Sequence, residues 1–139
     1  MLARGISNRG SSPMGDALEH MAVTEKIIGC AFRVHSSIGC GFQEVIYQRA
    51  LAAELSRAGL PYAREIEQNI YYKDVREPIG TRRADFVVDG KILVEIKAVA
   101  CLEPVHWAQV LNYLRAYRLE VGLLFNFGSR SLTFKRLVL

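Results

Sequence analysis

The chain has 139 residues, of which half are hydrophobic and 23% are charged, and its formal net charge is +4. This length and apolar content favour a single globular domain with a substantial core. No apolar run approaches the ~20 residues of a membrane span, and the start of the chain lacks the apolar segment of a secretory signal. We therefore expect a cytoplasmic protein with no membrane association, whose mild positive charge is compatible with a polyanionic partner without requiring one.

The first third of the chain reads as an extension followed by two helices. Residues 1–20 combine Gly, Ser, Asn and Arg with Pro13 and show no hydrophobic periodicity, so we expect a flexible N-terminal extension before one domain over 21–139. Thr24 is predicted to cap a first helix, which Gly39 ends. A second helix is expected from about residue 42 to residue 58, where Gly59 stops it.

Beyond Pro61 the hydrophobic period changes from helical to two residues, which is typical of strands. Strands are predicted over 62–72, from about Val75 into the Asp85 region, and from Lys91 onward. A third helix should run from Pro104 to about Tyr117. Two further strands are expected over 121–127 and 132–138. The order ααβββαββ predicts an α/β fold of three layers, with helices flanking a mixed β-sheet.

Asp89-Gly90 predicts a hairpin turn between two of these strands. A two-residue loop would set the apolar face of one strand against the polar face of the other. A three-residue loop over 88–90, with Gly90 left-handed and Val87 paired with Lys91, avoids this mismatch. All even-numbered positions from Ala84 to Ile96 then share one face, and the charged groups gather on the other. Those charged groups are Asp85, Glu95 and Lys97.

Two carboxylates beside a lysine suit the cleavage of phosphodiester bonds. Carboxylate oxygens bind Mg²⁺ or Mn²⁺, which activates water and screens phosphate. An adjacent ammonium group positions the attacking water or stabilises the developing charge. On spacing alone, a solvated charged strand face is the commoner explanation, because Glu-x-Lys occurs often on exposed strands. The three cysteines are odd in number and lack Cys-x-x-Cys spacing, which favours free thiols over a zinc site.

The pattern of Asp85 followed by Glu95-x-Lys97 resembles the PD-(D/E)XK nuclease superfamily, although Ala84 stands where that name implies proline. Gly41-x-x-Glu44-x-x-Tyr47 is similar to the GxxExxY family, a branch of the same superfamily. The resemblance implies a restriction-endonuclease-like fold and a catalytic metal, Mg²⁺ or Mn²⁺. The metal ligands that it implies are Asp85, Glu95, the carbonyl of Ile96, and Glu44.

The third helix adds further candidates. Gln109 and Tyr113 lie four residues apart and resemble a Gln-x-x-x-Tyr motif that braces the site and contacts DNA in exonuclease branches. Arg83 is a candidate for phosphate contact, and Tyr47 for nucleic-acid binding. The alternatives are structural: Glu44 as a favourable charge at a helix start, and both tyrosines as packing groups.

The two histidines nearest these motifs, His35 and His106, are expected to form structural hydrogen bonds rather than to act as a ligand or base. We conclude from the sequence that a metal-dependent nuclease acting on DNA is the leading hypothesis. Its rival is a catalytically silent nuclease-fold module that binds nucleic acid or protein. A homodimer is left open.

Overall fold

The computed structural model describes residues 13–139, in which three helices and five strands form one α/β arrangement. The helices are α1 (Pro13–Ile38), α2 (Glu44–Arg57) and α3 (Pro104–Tyr117); the strands are β1 (Tyr62–Ile70), β2 (Gly80–Val88), β3 (Ile92–Lys97), β4 (Val121–Asn126) and β5 (Thr133–Val138). The predicted order ααβββαββ is confirmed. Over residues 13–139, no helix has the length and apolar character needed to cross a bilayer.

The strands form a single sheet in chain order, from β1 at one edge to β5 at the other. Neighbours are antiparallel except β3 and β4, which are parallel. Parallel neighbours need a crossover connection, and α3 supplies it. The sheet is therefore mixed, as predicted.

Two apolar clusters cover the two faces of the sheet. On one face, α1 and α2 pack against Ile92, Val94 and Ile96 of β3. On the other, Val110 and Leu114 of α3 pack with residues that include Leu93 and Leu124. All six residues of β4 are buried, as expected for a strand covered on both sides.

The first helix begins earlier than the sequence suggested. Residues 1–12 lie outside the described part of the chain, but residues 13–20 are helical, so the prediction of a flexible extension is wrong for them. Thr24 lies inside α1, where its hydroxyl donates to the carbonyl of Met21. Glu19 also pairs with Lys91 of the β2–β3 hairpin, which ties this part of α1 to the sheet.

The β2–β3 hairpin turns one residue later than predicted. Val88 pairs with Ile92, and the loop consists of Asp89, Gly90 and Lys91, so the predicted pairing of Val87 with Lys91 is wrong. Asp89 and Gly90 both have positive φ, 53° and 64°. Aspartate tolerates the left-handed region better than most residues, which lets both positions form the turn. The predicted register would have set Asp85 opposite Leu93. The observed pairing of Phe86 with Val94, continued by one residue, sets Asp85 opposite Glu95.

Candidate active site

The side chains of strand β2 change face at Asp85, and this irregularity forms the site. Ala84 packs in the cluster under α3, whereas Phe86 packs in the cluster under α1 and α2. Side chains two residues apart on a regular strand share a face, so the prediction that Ala84 shares a face with Phe86 is wrong. Glu65, which lies opposite Asp85 on β1, has a φ of 53° and accommodates the turn.

The two central carboxylates fill the gap that opens where β2 separates from β3. The last paired residues on this side are Phe86 and Val94. Beyond them, Asp85 Oδ2 accepts a hydrogen bond from the Ile96 backbone N–H at 2.7 Å. Glu95 Oε1 accepts one from the Asp85 N–H at 2.9 Å. Side-chain oxygens thus replace the carbonyls of the ladder, and the two acidic groups are held next to each other.

Gln48 of α2 is a site residue that the sequence analysis missed. Its Nε2 donates to Asp85 Oδ1 at 3.1 Å. The signal was its position four residues after Glu44, because residues at that spacing share one face of a helix. Both oxygens of Asp85 therefore have hydrogen-bond partners, one from α2 and one from β3.

The site concentrates negative charge in a poorly solvated place. Burial, followed by the neighbouring charge of Asp85, raises the pKa of Glu95 to about 8. Burial likewise raises the pKa of Asp85 to about 6, against the effect of its hydrogen bond from Ile96. The carboxylate of Glu44, at the start of α2, adds to both increases, and the ammonium group of Lys97 opposes both. All four predicted charged groups are therefore close enough to interact.

The donor set fits a hard divalent cation only in part. The available ligands are carboxylate oxygens, which Mg²⁺ and Mn²⁺ prefer. Burial is the main cause of the raised pKa values of Asp85 and Glu95, and a bound cation would favour the ionised form of both groups. Over residues 13–139, however, no three His, Cys, Asp or Glu side chains are arranged closely enough to hold a metal ion. Asp85 and Glu95 form the nucleus of such a site, and Glu44 would complete it only by moving closer.

The position of Lys97 is fixed by the loop that follows it. Lys97 ends β3 opposite Asn126 of β4. The buried amide of Asn126 accepts from the N–H groups of Val99 and Gly128 and donates to the Val99 carbonyl. A Cβ on Gly128 would lie 2.4 Å from the Val99 nitrogen, so this close approach needs glycine. Lys97 itself forms none of the ion pairs found within residues 13–139.

Gln109 and Tyr113 lie together on α3, beside the carboxylates. Gln109 Nε2 donates to the Tyr113 hydroxyl at 3.4 Å. Burial raises the pKa of Tyr113, and the nearby charge of Glu95 raises it further. Both residues line a groove of about 340 Å³ between α3 and the β1–β2 ribbon. Gln109 and Tyr113 are therefore in contact with each other, and Tyr113 lies near Glu95.

The two remaining candidates are Tyr47 and Arg83. Tyr47 is fully buried and stacks on Phe127, while its hydroxyl donates to the Gly39 carbonyl at 2.6 Å. Its assignment to nucleic-acid binding is wrong, because no part of it reaches the surface. Arg83 is exposed on β2, opposite Glu67 of β1, and is free of ion pairs within residues 13–139.

Both histidines have structural roles. His35 Nε2 is 3.0 Å from the carbonyl oxygen of Ser129, which joins the end of α1 to the β4–β5 connection. His106 Nδ1 accepts from the Glu103 N–H and forms part of the cap of α3.

Tyr117 was missed as well, and it supports the turn in β2. Its hydroxyl donates to the Ile66 carbonyl and accepts from the Ala84 N–H. These two backbone groups belong to paired residues beside Glu65 and Asp85. The sequence shows only a tyrosine at the end of a helix, which carries no signal of this role.

Comparison with known proteins agrees with this geometry. No curated protein and no solved structure gave a match to the chain. Residues 21–137 match the PD-(D/E)XK nuclease superfamily, a range that includes every candidate site residue. The match and the mixed sheet bearing Asp85 and Glu95-x-Lys97 lead to one conclusion: the chain belongs to the PD-(D/E)XK nuclease superfamily.

Proposed function

We propose that the protein is a divalent-metal-dependent nuclease that hydrolyses phosphodiester bonds in DNA. The observation that carries the proposal is the pair formed by the buried Glu95 and the partly buried Asp85, each of which accepts a backbone N–H across the gap between β2 and β3. Acidic groups in such a place favour a cation at the site and are costly without one.

Each residue has a distinct part in this proposal. Asp85, Glu95 and the Ile96 carbonyl would hold Mg²⁺ or Mn²⁺, with Glu44 as a further ligand. When bound, the metal lowers the pKa of a water molecule and polarises the phosphate. Lys97 orients the attacking water and stabilises the negative charge that develops on the phosphate oxygens.

The surrounding residues position these groups and the substrate. Gln48 fixes the carboxylate of Asp85 through its hydrogen bond. Gln109 and Tyr113 form the wall beside Glu95. Arg83, exposed next to the site, suits contact with a phosphate because its planar group donates two hydrogen bonds at once.

We further infer that the chain falls in the GxxExxY branch of the superfamily. The spacing of Gly41, Glu44 and Tyr47 places each residue in a distinct position at the start of α2. Gly41 takes a φ of 107°, which glycine adopts readily, and so brings the chain into α2. Glu44 then faces the carboxylates, while Tyr47 secures the preceding loop by accepting from the Phe42 N–H.

The test is cleavage of labelled single-stranded, duplex and nicked DNA with Mg²⁺ or Mn²⁺. We expect product from the wild type and a loss of at least about 100-fold for Glu95→Gln and Lys97→Ala, because each removes a group that acts in the transition state. Asp74→Asn, which changes an exposed carboxylate in the β1–β2 loop, is the matched control and should retain activity. Cleavage that persists in Glu95→Gln would point to a contaminating enzyme.

A second candidate is a nuclease-fold module that binds nucleic acid or protein without cleaving it. It is favoured by the absence of a ready three-ligand metal group within residues 13–139 and by the fact that both Asp85 oxygens are already hydrogen-bonded. In that case the wild type would bind labelled DNA with the same affinity with and without Mg²⁺, and no metal would give product.

A further inference from the structure

The groove between α3 and the β1–β2 ribbon leads directly to the carboxylates. Ile70, Thr81 and Arg82 line it from the ribbon, and Gln109, Asn112 and Tyr113 line it from α3. One lining residue is Tyr113, whose hydroxyl lies close enough to Glu95 for the carboxylate to raise the pKa of that hydroxyl. A chain that occupied this groove would therefore reach the proposed site of cleavage.

Two exposed tyrosines follow the groove-lining residue Ile70 in the chain. Tyr71 and Tyr72 directly follow Ile70, and 59% and 52% of their surfaces are accessible. Neither ring contacts another aromatic ring among the described residues; Tyr72 is met by the ammonium group of Lys73, 5.2 Å from the ring centre. The turn that carries them is ordered by hydrogen bonds from Val75 N–H to the Tyr72 carbonyl and from Ile79 N–H to the Ile70 carbonyl.

The charges along this path suit a polyanion. Residues 71–83 contain four basic and two acidic side chains, and no acidic side chain lines the groove. Arg82 Nη1 donates to Asn112 Oδ1 at 2.7 Å, whereas its Nε is buried without a partner among the described residues. Because Arg82 lines the groove and is held there by Asn112, its guanidinium group is placed to donate to a phosphate oxygen that enters the groove.

We propose that this groove binds single-stranded nucleic acid, with Tyr71 and Tyr72 stacking on its bases and Arg82 donating to its backbone. The inference rests on the proposed nuclease function and names its substrate class. Exposed aromatic rings next to a basic groove are the means by which proteins hold single strands, because every unpaired base offers a flat face. A duplex presents such faces only at its ends, so the preferred substrate is a single strand or a frayed end.

The test measures binding separately from cleavage. Fluorescein-labelled oligothymidine and oligouridine of about 15 nucleotides, and a blunt DNA hairpin of equal length, are titrated in EDTA and followed by anisotropy. The wild type should bind both single strands more tightly than the hairpin. Tyr71→Ala and Tyr72→Ala should each weaken single-strand binding by at least about five-fold, since a stacked base contributes at least that much.

Matched variants separate stacking from other effects. Tyr71→Phe and Tyr72→Phe keep the ring and should bind as the wild type does. Phe32→Ala, which removes an exposed ring on α1 that contacts Phe134 rather than the groove, should have no effect. Oligothymidine carrying 5-iododeoxyuridine should photocrosslink to Tyr71 or Tyr72, as located by mass spectrometry.

Three outcomes overturn the inference. Hairpin binding as tight as single-strand binding would assign the substrate to the duplex class. Unchanged binding in both alanine variants, with active wild-type enzyme, would refute the tyrosine platform and leave the nuclease function in place. If the wild type neither binds nor cleaves any of these nucleic acids, the proposed function fails, and the inference that rests on it fails with it.

Discussion

At the scale of single residues, Asp85 and Glu95 are unusual because each is both an acid and a structural acceptor. Their hydrogen bonds to backbone N–H groups favour the ionised form, but burial outweighs this effect and raises the pKa of both groups. The pair therefore takes up protons on folding at pH values where the unfolded chain is already ionised.

This uptake predicts a pH dependence of stability in metal-free protein. Both groups have folded pKa values above their ordinary range, so the folded state binds more protons than the unfolded state between about pH 4 and pH 8. The free energy of unfolding should accordingly fall as the pH rises through this window, by an amount on the order of a few kcal/mol. Urea denaturation in EDTA at pH 5 and pH 8 measures the change.

Glu95→Gln is the control, because its amide oxygen still accepts from the Asp85 N–H but does not titrate. This variant should show a clearly smaller loss of stability between pH 5 and pH 8. An equal loss in both proteins would mean that Glu95 is ionised in the metal-free fold.

At the scale of the elements, the reversal of β2 at Asp85 depends on α3. Tyr117 satisfies one backbone group of β1 and one of β2 beside the turn, at Ile66 and Ala84. The end of α3 is thereby attached to the strands that carry the acidic pair, and α3 also carries Gln109 and Tyr113. The helix and the turned strand form one supporting unit.

Tyr117→Phe should therefore destabilise the fold more than an ordinary loss of a hydroxyl. It leaves the Ile66 carbonyl and the Ala84 N–H without their partner, which costs about 1–3 kcal/mol. Tyr62→Phe is the matched control, because its hydroxyl has only a long contact, 3.4 Å, with the exposed Ser56. Urea denaturation at pH 7 should separate the two variants, and equal stabilities would remove the assigned role of Tyr117.

The sequence predicted the helices and strands well where their hydrophobic pattern was regular. Alternation of apolar residues correctly predicted the strands and the gathering of Asp85 and Glu95, although the predicted register was shifted and would have paired Asp85 with Leu93. It failed at Ala84, because alternation assumes an unbroken strand and β2 reverses its faces there. The hydrogen bond from Gln48 also escaped prediction, since the contact joins residues from separate elements and depends on how α2 approaches β2.

At the scale of the whole molecule, the sheet lies between two layers of helices. The charged groups of the site, Glu95 and Lys97 among them, lie at the end of β3. The layer order could be predicted, whereas the start of α1 could not. Met14 and Leu18 are exposed, so residues 13–20 lack a buried stripe that a sequence pattern would reveal. Helix growth from the buried residues Val23 and Ile27 accounts for the extra turns, because extending a helix costs far less than nucleating one.

Metal binding should be visible in the stability of the whole domain. A ligand that binds only the folded state stabilises it, by about 2.7 kcal/mol at a concentration 100 times its Kd. Saturating Mg²⁺ or Mn²⁺ should therefore raise the Tm by several degrees, as measured by calorimetry. Glu95→Ala should abolish the rise. Lys97→Ala should keep it while losing turnover, since lysine acts on water and phosphate.

Hydrogen bonds to the carboxylates of Asp85 and Glu95 join β2 to β3. The same oxygen atoms therefore hold the strands together and serve as the proposed metal ligands. Where neighbouring strands elsewhere are joined by peptide groups that never change charge, this junction is joined by groups that can gain a proton or a cation. The amides of Asp85 and Ile96 donate directly to those groups. The rate at which these two amides exchange with solvent deuterium should therefore depend on whether the carboxylates are protonated or bind a cation. This rate can be measured in the intact protein without any substrate.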